Sequence, residues 1–263
     1  MKICTLTCMC ADVFDGTDKV YPGGESLNFA ANICREITAD IVIVGAVGND
    51  RYGSIIRNSI KNMPISQKNI HVLDCGSAYN ITYLTNKGDR YYKEDSWHGG
   101  AYDKFVMSSE DASEIASADI VHTSIYCHQF RDVIELKKQH GFRLAVDFND
   151  RRDTDSWYDI LPYVDYFFIS ADEETEKRVC ELSGKFSGVF TATLGENGSA
   201  SYINGERIFI PAVPAANVVD TTGCGDSYQA GFIAEIAGGG SITAAMKKGA
   251  ELAAKTLSHF GGF

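Results

Sequence analysis

The segment DTTGCGD at residues 220–226 places two hydroxyls, two glycines and two carboxylates within seven positions. It follows an extended stretch that contains Pro211 and Pro214, and a pattern typical of a helix begins at Asp226. The first turn of a helix has unpaired N–H groups, and flanking glycines let a ligand approach the backbone closely. The segment therefore predicts a site for a negatively charged group such as a phosphoryl.

Asp226 also has a purely structural explanation, because a carboxylate at the start of a helix can cap it. A cap needs one acceptor, whereas this segment supplies many polar groups, and that redundancy favours a functional site. The segment is not a Walker A loop, since it lacks the Gly-Lys-Ser/Thr ending. It is not a dinucleotide fingerprint either, because the third glycine would fall on Tyr228.

A second candidate segment is PGGESLNFAANICRE at residues 22–36. Its glycine pair precedes a helical pattern, and Asn28 lies about one turn into that helix. There the amide of Asn28 and the N–H of Gly24 can meet a polyol from the same side. The alternative is an ordinary turn followed by a core helix with Asn28 facing solvent, and the residues alone leave both open.

A third segment, TLGENGSASYINGERI, covers residues 193–208. Thr193 ends a predicted strand, Gly195 and Gly198 make a tight turn, and an Asn-Gly pair predicts a hairpin. By itself the segment is typical of a meander rather than of a ligand site.

Short apolar runs alternate with helical patterns along most of the chain. The predicted strands are 2–8, 40–44, 119–125, 143–148, 164–170 and 188–194, and the predicted helices are 26–36, 52–62, 109–117, 129–140, 172–183, 226–237 and 241–257. This order predicts an α/β fold with a mostly parallel sheet between two layers of helices.

Residues 77–100 interrupt that order, because polar residues alternate there with β-branched and aromatic residues around Lys87-Gly88-Asp89. The pattern predicts a hairpin that forms a small sheet with residues 10–22. We expect this sheet to be a lid on a single domain, 1–263. Within it, Trp97 and the Tyr91-Tyr92 pair are predicted to serve lid packing.

Composition excludes several classes of protein. The net charge is −11 and the 24 basic residues are scattered, which argues against binding of nucleic acid. No apolar run approaches the roughly 20 residues of a membrane span. Eight cysteines at irregular spacings are predicted to be reduced core residues of a cytoplasmic protein.

The three segments, in this order and spacing, resemble the ribokinase-like (PfkB) family of carbohydrate kinases. The likeness covers nearly the whole chain, although Cys224 stands where the family usually has alanine. It implies a ribokinase-like three-layer αβα sandwich with a small β lid. It also implies ATP-dependent phosphorylation of a primary hydroxyl on a sugar, with ATP and Mg²⁺ as cofactors.

The resemblance assigns roles to single positions. Asp226 would be the general base, and the N–H groups of Gly223, Cys224 and Gly225 would form an anion hole for the phosphoryl. The sugar-binding positions would be Asp12, Gly24 and Asn28. Nucleotide contacts would come from Thr193 and from the turn glycines Gly195 and Gly198, with Asn149 and Arg151 near the phosphates.

The metal positions implied by the resemblance are less uniform. Glu173 would organise Mg²⁺, although the chain has Ser170 where the family often has asparagine. Asp220 and the carbonyl of Thr222 match a site where many members hold a monovalent cation such as K⁺. Lid hairpins of many members pair into homodimers, and this hairpin is compatible with that.

The stretches DIVHTSIYCH, TLGENGS and AAKTLSHFGGF resemble members of the family that act on fructosamines. The expected reaction is phosphate transfer to carbon 6 of a fructosamine such as fructoselysine. The loop around residues 122–128, with His122, Tyr126 and His128, and Arg90 of the lid are expected to meet the substituent at carbon 1. An ordinary ketose such as fructose is the alternative substrate, and a catalytically silent sugar-binding regulator is the alternative from another class.

Overall fold

A computed structural model describes residues 1–85, 90–215 and 217–263, and describes Leu84, Arg90, Thr154 and Asp155 by their backbone alone. The turn predicted at Lys87-Gly88-Asp89 and the side chain of Arg90 therefore lie outside the described residues.

The strands match the apolar runs of the sequence and add several short ones. In chain order they are β1 (Lys2–Leu6), β2 (Cys10–Phe14), β3 (Val20–Gly23), β4 (Asp40–Ile43), β5 (Gly45–Gly48), β6 (Ile65–Ser66), β7 (Ile70–Leu73), β8 (Ala78–Leu84), β9 (Arg90–Tyr92), β10 (Ile120–Ser124), β11 (Arg143–Asp147), β12 (Tyr166–Ser170), β13 (Val189–Thr193), β14 (Ser199–Ile203) and β15 (Glu206–Ile210).

Nine of the described strands form the central sheet, in the order β15-β14-β13-β12-β11-β10-β1-β4-β6. The pairs from β6 to β13 are parallel, and only β14 runs antiparallel to its neighbours. All six predicted strands are present. Their carboxyl ends share one edge, where Ser124 pairs with Asp147 and Ser170 pairs with Thr193. Ligands of parallel α/β sheets bind at this edge.

Helices cover both faces of the sheet, which confirms the predicted three-layer α/β sandwich. Their bounds are α1 (Glu25–Ile33), α2 (Arg51–Ser59), α3 (Gly100–Lys104), α4 (Ser109–Ala116), α5 (Phe130–His140), α6 (Glu173–Ser183), α7 (Cys224–Ala237) and α8 (Ile242–Thr256). One apolar core packs the sheet against α4, α5 and α6, and a second packs it against α1, α7 and α8.

A separate four-stranded sheet, in the order β3-β2-β8-β9, combines the 10–22 region with the 77–100 region. Cys10 pairs with Ala78 and Asp12 with Asn80, so side chains at alternate positions share one face. Tyr92 pairs with Thr82, and Tyr91 pairs with Tyr83 on the opposite face. The sheet therefore has two chemically different faces.

Two features differ from the sequence-based expectations. Helix α7 begins at Cys224 with Gly223 as its N-cap residue, so the predicted start at Asp226 is two residues late. The short helix α3 and the strands β5 to β7 were not predicted, because elements of two to five residues show no clear period.

Among the described residues, none of the helices combines the length and the apolarity needed to cross a bilayer.

The Asn-Gly hairpin between β14 and β15 is confirmed. Asn204 and Gly205 both have positive φ, 51° and 80°, as a two-residue hairpin turn requires. The hairpin closes the antiparallel edge of the sheet.

The aromatic core under β12 gives a test of the fold. Phe167 is fully buried, with ring centroids 4.2 Å from Phe148 and 5.1 Å from Phe190. Phe167→Ala should lower the free energy of unfolding by about 3–5 kcal/mol, because it leaves a cavity. The control Phe209→Ala removes a ring that is 43% exposed on β15 and should cost less than about 1 kcal/mol. Equal urea midpoints for the two variants would contradict the packing described.

Candidate active site

A cleft of about 710 Å³ lies at the carboxyl edge of the central sheet, between the start of α7 and the four-stranded sheet. Most of the predicted site residues meet in it. Those that line the cleft are Gly24, Asn28, Tyr126, His128, Asn149, Thr193, Gly223, Cys224, Gly225 and Asp226. Residues from five distant segments of the sequence are thus brought to one place.

Asp226 lies in the first turn of α7, and its orientation is set by a neighbouring helix. The Nδ2 of Asn28, on α1, donates a hydrogen bond to Oδ2 of Asp226 over 2.8 Å. Asn28 is buried, so the alternative in which it faces solvent is wrong, and sugar binding by Asn28 stays a prediction. Because Gly223 is the N-cap residue of α7, Asp226 does not occupy the N-cap position. A carboxylate held by an amide donor at a cleft wall is suited to accept a proton.

Two glycines are required by the backbone geometry of the site. Gly223 has a φ of 74°, and a Cβ there would lie 2.5 Å from Cα of Gly262. Gly24 has a φ of 95°, and a Cβ there would lie 2.5 Å from the carbonyl oxygen of Cys8. Gly225 differs, because its φ is not positive and a Cβ there would meet nothing within 4 Å. It leaves the cleft wall open rather than making a turn.

Asp220 and Thr222 support the loop from beneath and do not line the cleft. Oδ1 of Asp220 accepts hydrogen bonds from N and Oγ1 of Thr222, and Oδ2 accepts one from N of Gly261. Both residues are buried. Asn32 on α1 donates a hydrogen bond to the carbonyl oxygen of Gly262. Gly261 and Gly262 therefore bond both to the loop before α7 and to α1.

Strand ends supply the floor of the cleft. Asn149, just after β11, has a φ of 55° and donates from Nδ2 to Oγ of Ser124 over 3.0 Å. Its backbone N donates to Oδ1 of Asp147 over 2.7 Å. Thr193 ends β13 and lines the cleft two strands further along the sheet.

Three of the five carboxylates in the described lining of the cleft, those of Glu25, Asp147 and Asp226, interact electrostatically. Burial, and then the negative charges of Glu25 and Asp226, raise the pKa of Asp147 to about 8. Burial also raises the pKa of Glu25, although a hydrogen bond from Oγ1 of Thr7 opposes the rise. The site therefore retains a proton on a carboxyl where an exposed aspartate would be ionised.

A buried chain of polar side chains runs from the cleft into the core. Gln229 on α7 donates from Nε2 to Oδ2 of Asp147 over 2.6 Å, and its Oε1 lies 2.9 Å from Nε2 of His122. His122 is stacked on Phe29, with a centroid distance of 3.9 Å, and burial lowers its pKa to about 4. The expectation that His122 meets the substrate is wrong, because its ring lies in the core and does not line the cleft.

Several predicted site residues lie outside the described cleft lining. Glu173, the first residue of α6, is 85% exposed and pairs with Lys177 over 2.7 Å, so it does not reach the cleft as a Mg²⁺ ligand. Asp12 is buried in β2, beside Asn80 of the lining. Arg151 lies over the ring of Tyr126, and Gly195 and Gly198 form the turn after Thr193.

The sequence did not single out several residues that line the cleft. Glu25 looked like an ordinary first-turn residue of α1, and Asp147 like the end of a buried strand. The place of Asp147 at the carboxyl end of a parallel strand is the signal that identifies it. Tyr92 and Trp97, predicted to serve packing, line the cleft instead.

Comparisons with known proteins agree with the fold. The model of the pfkB family carbohydrate kinases matches residues 15–262. The fructoselysine 6-kinase of Shigella flexneri is 29% identical over 257 residues, which are 97% of this chain and 96% of that protein. The fructosamine kinase of Bacillus subtilis is 28% identical over 269 residues, with 100% and 93% covered. The structure of Arabidopsis thaliana ribokinase complexed with ribose and ATP superposes with a TM-score of 0.81 at 20% identity, covering 98% and 93%.

The chain belongs to the pfkB family of carbohydrate kinases. This confirms the family, the ribokinase-like fold and the enzyme class that the three sequence segments indicated. The protein is an ATP-dependent carbohydrate kinase, and the family implies ATP and Mg²⁺ as its cofactors.

Alanine substitutions at Gly223 and Gly225 should have different effects, one mainly on folding stability and the other mainly on turnover. Gly223→Ala should lower the free energy of unfolding by about 1–3 kcal/mol, because of its positive φ and its contact with Gly262. Gly225→Ala should leave the melting temperature unchanged or raised, since alanine favours a helix. It should nevertheless reduce kcat/KM by at least about tenfold, because a methyl group then occupies the cleft wall. Full turnover in a stable Gly225→Ala protein would show that the backbone of this turn is not approached by the phosphoryl group.

Because the pKa of Asp147 is raised, the substitution Asp147→Asn should raise the melting temperature by an amount that depends on pH. Between the unfolded value near 4 and the folded value of about 8, the native state binds more protons, so this group's contribution to stability falls as pH rises. The melting temperature of Asp147→Asn should therefore exceed that of the wild type more at about pH 8 than at about pH 5. The exposed control Asp18→Asn should show no such trend, and a pH-independent difference for Asp147→Asn would contradict the assignment.

Proposed function

We propose that the protein transfers the γ-phosphoryl group of Mg-ATP to the carbon 6 hydroxyl of a fructosamine such as fructoselysine. The observation that carries the proposal is the environment of Asp226. Asn28 holds the carboxylate of Asp226 at the start of α7. Among the described residues that line the cleft, there are five carboxylates and no lysine or arginine. The carboxylates belong to Glu25, Asp103, Asp147, Asp150 and Asp226.

Asp226 acts as the general base in this proposal. Its carboxylate accepts the proton of the sugar hydroxyl as the hydroxyl oxygen attacks the phosphoryl group, and Asn28 keeps the accepting oxygen in place. The start of α7 offers backbone N–H groups and the positive end of the helix dipole to the transferring phosphoryl. The N–H of Cys224 already makes a long bond of 3.4 Å to the carbonyl oxygen of Thr221, so its role in the anion hole requires that bond to be exchanged.

The charge of the cleft supports a cationic substrate over an anionic one. A sugar acid or sugar phosphate would approach several carboxylates with no compensating lysine or arginine in the described lining. A fructosamine carries a secondary amine that is protonated at neutral pH, and its charge is attracted to such a cleft. The similarity to a fructoselysine 6-kinase and a fructosamine kinase points to the same substrate class.

The metal sites are part of the proposal. The described residues contain no group of three or more His, Cys, Asp or Glu side chains that could hold a metal, so Mg²⁺ would be shared with the nucleotide phosphates. Asp150, an exposed carboxylate of the cleft, fits this role, and Glu173 does not. Bound there, Mg²⁺ would neutralise charge that develops on the phosphates.

Asp220 and Thr222 remain our proposal for a monovalent cation such as K⁺. Asp220 is a buried carboxylate whose described hydrogen-bond donors, Thr222 and Gly261, are both neutral. Its negative charge therefore suits a cation bound together with the carbonyl of Thr222.

The four-stranded sheet is proposed to act as a lid within one kinase domain of residues 1–263. It would exclude water, which otherwise competes with the sugar for the phosphoryl group. Tyr83 and Tyr91 stack 5.7 Å apart on its exposed face, and this pair supports a homodimer formed through the lid. We also propose a cytoplasmic location.

Asp226→Asn should preserve folding and sugar binding and lower kcat by about 10²–10⁴, because the amide cannot take the proton. An ADP-release assay with fructoselysine measures turnover, and calorimetry measures sugar binding. The control Asp159→Asn alters an exposed carboxylate that pairs with Arg131 and should keep full turnover. Phosphorus NMR of the wild-type product should show the phosphate on carbon 6. An unchanged kcat in Asp226→Asn would remove Asp226 as the base, and phosphate on another carbon would contradict the proposed substrate orientation.

A further inference from the structure

One end of the cleft, beneath the four-stranded sheet, is walled by exposed aromatic side chains. Tyr92, Trp97 and Tyr126 line it and are 49%, 43% and 49% exposed. Large aromatic side chains are normally covered in a folded protein, and a cluster of exposed ones in a concave wall marks a binding surface.

The position of Tyr92 shows which face of the hairpin forms this wall. Neighbouring residues of a strand point to opposite faces, and Tyr92 lines the cleft whereas Tyr91 stacks with Tyr83 on the other face. The two tyrosines are almost equally exposed, at 49% and 48%. Both rings therefore leave about half of their surface open to solvent.

Helix α3 holds the rest of the wall in place. The hydroxyl of Tyr102 donates to the carbonyl oxygen of Tyr126 over 2.8 Å, and the Tyr102 ring lies 6.1 Å from Trp97 and 4.8 Å from His128. Nε2 of His128 lies 3.1 Å from Oδ1 of Asp103. A half-exposed carboxylate thus stands among aromatic rings, a combination suited to an ammonium group. We call Tyr92, Trp97, Tyr102, Tyr126 and Asp103 the aromatic rim.

The aromatic rim lies at the opposite end of the cleft from Thr193. Thr193 ends β13, whereas the four-stranded sheet follows directly on β1, and four strand spacings separate β13 from β1 in the central sheet. At about 4.8 Å per spacing this is roughly 19 Å, enough for a triphosphate and a sugar end to end. If the nucleotide lies at β12 and β13 and carbon 6 faces Asp226, carbon 1 of the sugar points towards the aromatic rim.

We propose that the aromatic rim is the subsite for the protonated amine and the aliphatic stem that the substrate carries at carbon 1. The inference rests on the proposed function and assigns the residues that select the substituent. The ammonium lies over the face of Trp97, where the ring quadrupole attracts it, and Asp103 supplies the opposite charge. The aliphatic stem packs along the same rings.

The test compares substrates in variants of the aromatic rim. Trp97→Leu and Asp103→Asn are assayed with Mg-ATP and three substrates: fructoselysine, its analogue with a neutral amide in place of the amine, and fructose. The ratio of kcat/KM for fructoselysine to that for fructose should fall about five- to thirtyfold in each variant, mainly through KM. In Asp103→Asn, the difference in kcat/KM between fructoselysine and the neutral amide analogue should also be smaller than in the wild type. The control Phe209→Leu, which changes an exposed ring on the edge strand β15, should leave both ratios unchanged.

The outcomes separate this inference from the proposed function. If the wild type prefers fructoselysine to fructose and both variants retain that preference, the substituent is recognised elsewhere and only the subsite is overturned. If the wild type uses fructose at least as efficiently as fructoselysine, the fructosamine substrate and the subsite are both overturned. A parallel loss with fructose and fructoselysine would also overturn the subsite, since it indicates general damage to the cleft.

Discussion

Electrostatic repulsion between carboxylates in one partly buried cleft constrains the whole site. Glu25, Asp147 and Asp226 reach the cleft from α1, β11 and α7. Burial, and then the charges of Glu25 and Asp226, raise the pKa of Asp147. The buried chain behind Asp147 consists of neutral groups, Gln229 and His122, so it stabilises orientation without supplying positive charge. The repulsion between the carboxylates must be reduced by a retained proton or by a cation that enters the cleft. Both Mg²⁺ on the nucleotide and an amine on the sugar provide that charge.

The scaffold holds this unfavourable arrangement through contacts remote in sequence. Asn28 fixes Asp226, Asp220 fixes the loop before α7, and the chain end at Gly261 and Gly262 bonds to the loop and to α1. Gly223 allows Gly262 to pack directly against the turn, where any side chain would collide. Stability at these points offsets the cost of the charged cleft, which is a common arrangement at functional sites.

Much of this organisation was predictable from local patterns. Apolar runs predicted the long strands, and the Asn-Gly pair at 204–205 predicted the edge hairpin, because both depend on near neighbours in sequence. Asn28 and Asp226 stood out by their glycine-rich surroundings, and the structure brings them into contact. Glu173 faces solvent and pairs with Lys177 four residues along α6, a spacing that the sequence contains but that the metal assignment did not consider. Glu25, Asp147 and the aromatic rim depend on which segments meet across the cleft, and single-sequence patterns do not contain that information.

The most direct test of the account is a competition between three sugars for the wild-type enzyme. The wild-type protein would be given Mg-ATP with equal concentrations of fructoselysine, fructose and 2-dehydro-3-deoxygluconate, which are cationic at the amine, neutral and anionic. Mass spectrometry of early products measures the ratios of kcat/KM. The carboxylate-lined cleft predicts that fructoselysine phosphate dominates, by about ten- to a hundredfold over fructose phosphate, and that the sugar acid is consumed least. Consumption of the sugar acid at a rate equal to or above that of fructoselysine would contradict the account.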